Sequence, residues 1–151
     1  MLSKKTKYAI KALIKLAKEY QNGPILIGDI AETEKIPKKF LEAILLELRN
    51  AGILNSKKGK GGGYYLIKNP EDVNLANVIR LFDGPIALLP CVSYKYYERC
   101  EECVDEETCG IRNVMSEVRE ETVRVLKNNS LADIIKREDD LRNGLTTTKP
   151  A

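Results

Sequence analysis

The residues best able to do chemistry are four cysteines, Cys91, Cys100, Cys103 and Cys109, which fall within nineteen residues and have no counterpart elsewhere in the chain. Their spacing is C-x8-C-x2-C-x5-C. Scattered core thiols do not cluster in this way, and permanent disulfides are disfavoured in a reducing compartment. Metal or cluster ligation is therefore the first reading. Thiolates in this number suit zinc or an iron–sulfur cluster. Structural zinc sites more often use two C-x2-C pairs. This segment has one such pair and two outlying cysteines, so spacing alone leaves zinc and iron–sulfur both open. Glu98, Glu101, Glu102, Asp105, Glu106 and Glu107 make the segment acidic. Negative neighbours raise thiol pKa values and oppose an anionic cluster unless cations compensate, for which Arg99 and Arg112 are the candidates. Tyr94, Tyr96 and Tyr97 either shield the site or pack the loop.

A second constellation is basic. Lys38, Lys39, Glu42 and Ala43 lie on the free face of a helical pattern in which Phe40, Leu41, Ile44, Leu45 and Leu48 recur at core spacing. Pro37 suits the start of that helix and Gly52 the position just past its end. Two short apolar runs, Ile53-Leu54 and Tyr64 to Ile67, then flank a tip holding Lys57, Lys58, Lys60 and the run Gly61 to Gly63. A helix followed by a basic, glycine-rich hairpin is the pattern of a winged helix-turn-helix, with the helix in the major groove and the wing on backbone or minor groove. Gly61 to Gly63 is not a phosphate loop, because no Gly-Lys-Ser/Thr opens a helix after it. The chain has no His, so a catalytic cysteine lacks its usual partner and an enzyme is not expected.

These two constellations need elements to hold them. Ser3 caps a first helix to about Tyr20, with Ala9, Leu13, Leu16, Ala17 and Tyr20 as its buried stripe. Lys4, Lys5 and Lys7 oppose the helix dipole there, which points to phosphate contact, while Lys11, Lys15 and Lys18 read as a solvated face. Asn22-Gly23-Pro24 turns the chain into a short helix over Leu26 to Glu34, and Thr33 to Ile36 is the turn before the recognition helix. Asn74 or Asp72 caps a further helix with Leu75, Val78, Ile79 and Phe82 inward, ended by Asp83-Gly84-Pro85. From Ile86 to Cys109 no periodicity is visible. Helical pattern resumes at Gly110, where Ile111, Val114, Val118, Thr122 and Val125 form a coiled-coil-like seam. Ser130 and Asp133 open a last helix with a capping box. The expected fold is mainly α with a small β-hairpin wing: a winged helix-turn-helix domain over 1–84, a cysteine-rich loop over 85–109, a dimerisation helix and C-terminal helix over 110–140, and a disordered tail over 141–151.

The net charge of +3 hides an asymmetry, since Met1 to Lys68 holds 14 Lys/Arg against 6 Asp/Glu while Asn69 to Ala151 holds 11 against 16. A basic front half suits double-stranded DNA, with salt-sensitive phosphate attraction. No apolar run is long enough to span a membrane and no secretory signal opens the chain, so the expected location is the cytoplasm.

The chain resembles the IscR/NsrR family of bacterial winged-helix transcription regulators. The resemblance rests on Y-A-I-K-A-L at Tyr8 to Leu13, I-P-K-K-F-L-E-A-I-L-L-E-L at Ile36 to Leu48, K-G-K-G-G-G-Y-Y-L at Lys58 to Leu66, and the cysteine loop running into C-G-I-R-N-V-M at Cys109 to Met115. It implies a homodimer on a two-fold operator, built on the helix after the loop. It also implies an iron–sulfur cluster, of the 2Fe–2S or 4Fe–4S type, that senses cluster status, nitric oxide or redox stress. The family's three cysteines correspond to Cys91, Cys100 and Cys109, its minor-groove reader to Lys58, and the glutamate tuning base choice to Glu42. Two positions depart from the pattern. Arg112 stands where one branch has a ligating His, and Tyr8 stands near where another has an acidic ligand. Cys103 then completes four thiolates, or one position stays open. The expected function is a DNA-binding regulator, a repressor, controlled by a cluster or by thiol redox state. The alternative is a zinc-stabilised or cluster-free regulator gated by disulfide formation or by a partner metabolic enzyme.

Overall fold

The computed structural model describes residues 1–144; positions 145–151 of the expected tail lie outside them. Six helices and one hairpin follow in the order α1 (Lys4–Lys18), α2 (Ile27–Glu34), α3 (Lys38–Asn50), β1 (Leu54–Lys57), β2 (Gly63–Leu66), α4 (Leu75–Asp83), α5 (Gly110–Lys127) and α6 (Leu131–Arg142). The fold is mainly α with a winged helix-turn-helix. α6 runs to Arg142, so the stretch expected to open a disordered tail begins as helix.

The core gathers apolar stripes from α1, α2, α3 and the hairpin. Leu13, Ile30, Leu41, Ile44, Leu45 and Leu48 are fully buried together. Ser3 caps α1 by accepting from the Thr6 amide at 3.1 Å, and its own amide donates to Asp83 at 3.0 Å. Hydrogen bonding from Ser3, its side chain foremost and its backbone amide after it, holds the Asp83 carboxyl below its ordinary pKa and ties the start of α1 to the end of α4. Lys11 and Lys18, expected to be merely solvated, are used inside the fold. Lys11 donates to the Glu34 carbonyl at the end of α2, and Lys18 pairs with Glu138 of α6 at 2.7 Å.

Phe40 departs from expectation. It is 44% exposed and packs edge-on against Tyr8, with ring centroids 5.7 Å apart. One helical step from Leu41, it sits at the edge of the buried stripe formed by Leu41, Ile44 and Leu45.

The last helix returns to the front of the chain. Leu131 is fully buried in the winged core, its amide donates to Val73 at 2.9 Å, and the Leu75 amide donates to Asn129 at 3.1 Å. The expected capping box at Ser130 and Asp133 is present. α5 therefore leaves the winged unit and α6 re-enters it. α5 packs on α4 and on a single 3-10 turn at Pro90–Val92. Its expected seam faces outward: Ile111, Val114, Val118 and Val125 are all exposed. Among the described residues no helix is long and apolar enough to cross a membrane.

Candidate nucleic-acid interface and cysteine loop

α2 and α3 meet in a tight turn at Lys35, which adopts the left-handed conformation with φ 53° and ψ 49°. That conformation costs a non-glycine residue about 1 kcal/mol. It is held by the Ile36 amide donating to Ala31 at 2.9 Å and by burial of the Ile36 side chain. The turn sets α3 across α2 with one face out. Lys38, Glu42 and Arg49 share a stripe on that face at helical spacing, beside Lys39, Ala43 and Leu46, and all are exposed. Arg49 is absent from the sequence-based candidates. Its signal is its place two turns beyond Glu42 on the same stripe.

The wing is a four-residue antiparallel ladder, Leu54 opposite Leu66 through Lys57 opposite Gly63. Its tip is an ordered turn closed by the Gly62 amide donating to Gly59 at 3.0 Å. Lys57, Lys58 and Lys60 project there, all exposed. Two of the glycines are packing requirements. A Cβ on Gly62 would stand 2.2 Å from the Lys57 carbonyl oxygen, and one on Gly63 would stand 2.2 Å from that of Ile25. Gly63 lies beside a second anchor, since Ile25 and Tyr64 exchange two backbone hydrogen bonds of 2.8 Å each. The wing is thereby fixed to the linker between α1 and α2 as well as to α3.

The remaining basic candidates divide. Lys4 is exposed at the start of α1. Lys5 pairs with Glu47 of α3 and lies 5.6 Å from the centre of the Phe82 ring, so it works as a brace between α1, α3 and α4.

The cysteine loop does not present four convergent thiols. Cys91 is buried, Cys103 and Cys109 are partly buried, Cys100 is exposed, and all four are free. Among the described residues no three His, Cys, Asp or Glu side chains stand close enough to hold a metal ion. One end of the loop is nonetheless organised. The Cys109 Sγ caps α5, accepting from the Arg112 amide at 3.4 Å, while the Arg112 Nε donates to the Cys91 carbonyl at 3.4 Å. Arg112, which cannot ligate, thus links the first and last cysteines. At the other end the Cys103 amide donates to the Cys100 carbonyl at 3.1 Å, closing a C-x2-C turn, and Arg99 donates to the Cys103 carbonyl. The Cys100 thiol donates to Glu102 at 3.1 Å, which raises its pKa, and the same bond lowers that of Glu102. Tyr97 donates to Glu106, and that bond raises the phenol's pKa. The donor set fits a thiolate-held cluster in number and type. Cys109 already occupies the N-cap position of α5.

A helix-turn-helix with a basic exposed recognition face and a doubly anchored, lysine-tipped wing defines a DNA-binding regulator of the winged-helix class, not an enzyme. The chain belongs to the Rrf2 family, described as an iron-dependent transcriptional regulator, whose family model matches residues 2–137. An rrf2-like HTH-type transcriptional regulator of Rhodobacter capsulatus is 43% identical over 138 residues, covering 89% of this chain and 92% of that protein. The HTH-type transcriptional regulator NsrR of Bacillus licheniformis is 30% identical, covering 96% of this chain and 99% of the relative. Among solved structures, CymR, the global cysteine regulator of B. subtilis, superposes with a TM-score of 0.75 at 29% identity, covering 90% and 96% of the two chains. IscR of T. potens gives 0.73 at 25% identity, covering 99% and 93%.

Proposed function

We propose that this protein is a cytoplasmic, homodimeric transcription repressor whose affinity for a two-fold DNA site is set by the state of the Cys91–Cys109 loop. The observation that carries this reading is the position of Arg112. From the first turn of α5 it contacts both Cys91 and Cys109, and α5 packs on α4 of the winged unit. A change in the loop therefore acts on the joint between the reading head and the helix whose outward seam pairs two copies. The exposed Ile111, Val114, Val118 and Val125 supply that pairing surface. Lys39, Glu42 and Lys58 are the base-reading candidates, and Lys4, Lys38, Lys57 and Lys60 hold phosphates.

Cys91, Cys100 and Cys109, with Cys103 as fourth thiolate, would hold an iron–sulfur cluster. When bound, such a cluster supplies reactivity toward oxidants and nitric oxide. For the chain itself, loading requires the Cys100 thiol to leave Glu102 and lose its proton, so loading is favoured by rising pH. The test is anaerobic purification followed by the visible spectrum and iron, acid-labile sulfide and zinc content. Matching iron and sulfide, lost on Cys109→Ala, support the reading; zinc without sulfide overturns the cluster and makes the loop structural.

A thiol-disulfide gate is the second reading, favoured by the closed, solvent-facing turn that joins Cys100 and Cys103. Mass spectrometry after mild oxidation separates it from the first. A Cys100–Cys103 disulfide that changes DNA affinity in metal-free protein supports the gate, and an unchanged affinity rejects it.

A further inference from the structure

Between the end of α4, the Pro85-Ile86 linker, the start of the cysteine loop and the inner face of α5 lies a cavity of about 360 Å³. It uses none of the cysteines and none of the DNA-facing side chains. Three cations border it, Arg80, Lys95 and Arg119, and among the described residues no carboxylate lines it. Two of these cations are held by aromatic faces. The Arg119 guanidinium lies 3.6 Å from the centre of the Tyr94 ring, and the Lys95 ammonium 5.5 Å from that of Tyr96. Pro85, Ile86 and Val123 give the remaining wall an apolar character.

Arg119 is the decisive residue. It is only 8% exposed, yet its Nε is buried with no hydrogen-bond partner among the described residues. Glu120, outside the lining, pairs with one terminal nitrogen of Arg119 and accepts from the Tyr94 hydroxyl at 2.5 Å, which fixes the guanidinium without satisfying Nε. Leaving a charged buried donor unpaired is costly, and such groups are ordinarily satisfied. Arg119 also borders a second, apolar recess lined by Leu88, Val118 and Leu126, which offers no acceptor side chain except Asp83 and Thr122 among the described residues. Asp83 is engaged with Ser3, and the Thr122 hydroxyl donates to the Val118 carbonyl.

We infer that the cationic cavity is a binding site for a small carboxylate with an apolar body. The carboxylate meets the Arg119 guanidinium together with the Arg80 and Lys95 charges, and the body lies against Pro85, Ile86 and Val123. A planar guanidinium matches a carboxylate's geometry, and a largely apolar wall disfavours a bare inorganic anion. The walls come from α4 on one side and α5 on the other, so an occupant bears on the joint between the winged unit and the long helix. The binding claim is independent of any cluster in the loop.

The probes are 3-phenylpropionate and inorganic phosphate, titrated into the full-length protein. The readout is the Arg119 side-chain Nε–H resonance, assigned by its disappearance in Arg119→Lys. Saturable shifts with 3-phenylpropionate below about 10 mM, weakened about tenfold in Arg80→Gln and in Lys95→Gln, support the site. Both of those residues are exposed, so their variants keep the fold. No saturable shift overturns the site, as do shifts equal in the variants and wild type. Phosphate binding as tightly as 3-phenylpropionate overturns the assigned ligand class.

Discussion

Replacing Gly63 by alanine tests how the wing is held. The new Cβ would meet the Ile25 carbonyl oxygen at 2.2 Å, its carbon at 2.4 Å and the Leu26 nitrogen at 2.9 Å, all backbone atoms that cannot swing aside. The φ of +141° is also one that L side chains rarely adopt. Two outcomes compete. If the bridge holds, the substituted residue bears strain of about 1–3 kcal/mol together with the clash. If the bridge opens, the two 2.8 Å bonds between Ile25 and Tyr64 are lost, at about 1 kcal/mol each. The chain takes the cheaper course, so the expected loss is about 2 kcal/mol with the wing released from the α1–α2 linker. Gly61→Ala is the control: nothing lies within 4 Å of its Cβ, so only the φ of +74° is charged against it, about 1 kcal/mol. Urea unfolding measures the stabilities, and amide hydrogen exchange at Tyr64 reports the bridge. A Gly63→Ala protein within about 0.5 kcal/mol of wild type, with the Tyr64 amide still protected, would refute this account of the wing.

Other consequences are equally direct. Lys60→Ala should reduce the salt dependence of DNA affinity by about 0.9 per wing, or about 1.8 for a dimer, whereas Lys5→Ala should leave that slope unchanged because Lys5 is paired with Glu47. Equal flattening by both variants would remove the distinction between wing contact and internal brace. Leu131→Ala should cost about 3 kcal/mol in urea unfolding, since Leu131 is fully buried in the winged core; a loss under about 1 kcal/mol would mean that α6 contributes little to it. Glu102→Ala should speed alkylation of Cys100 at about pH 8 and shift its reactivity profile to lower pH, because the Glu102 acceptor is what raises that thiol's pKa. An unchanged profile in tryptic peptide mapping would show that the bond does not persist in solution.

The reading head is legible in the sequence because its determinants are local. Leu41, Ile44, Leu45 and Leu48 mark one face of α3 by period alone, and a glycine run after Lys58 marks a hairpin tip. Phe40 escapes that reading because helical period cannot decide the edge of a stripe, where packing space rules. The return of α6 is not legible, since Leu131 looks like any residue after a capped turn until Val73 is beside it. Spacing treats four cysteines alike, while tertiary packing buries Cys91 and leaves Cys100 in solvent. Arg119 gives no signal at all, because an arginine in a Glu- and Arg-rich helix reads as solvated. Only the Tyr94 ring and the packing of α5 on α4 reveal it as buried.

Control of DNA affinity by the cysteine loop is read from the affinity of anaerobically purified protein for a duplex enriched from a random pool, taken before iron chelation, after it, and after reconstitution with iron and sulfide. A reversible change of about tenfold or more is expected in the wild type, and none in Cys109→Ala. The same affinity in all three states, with iron and sulfide shown to leave and return, would contradict it.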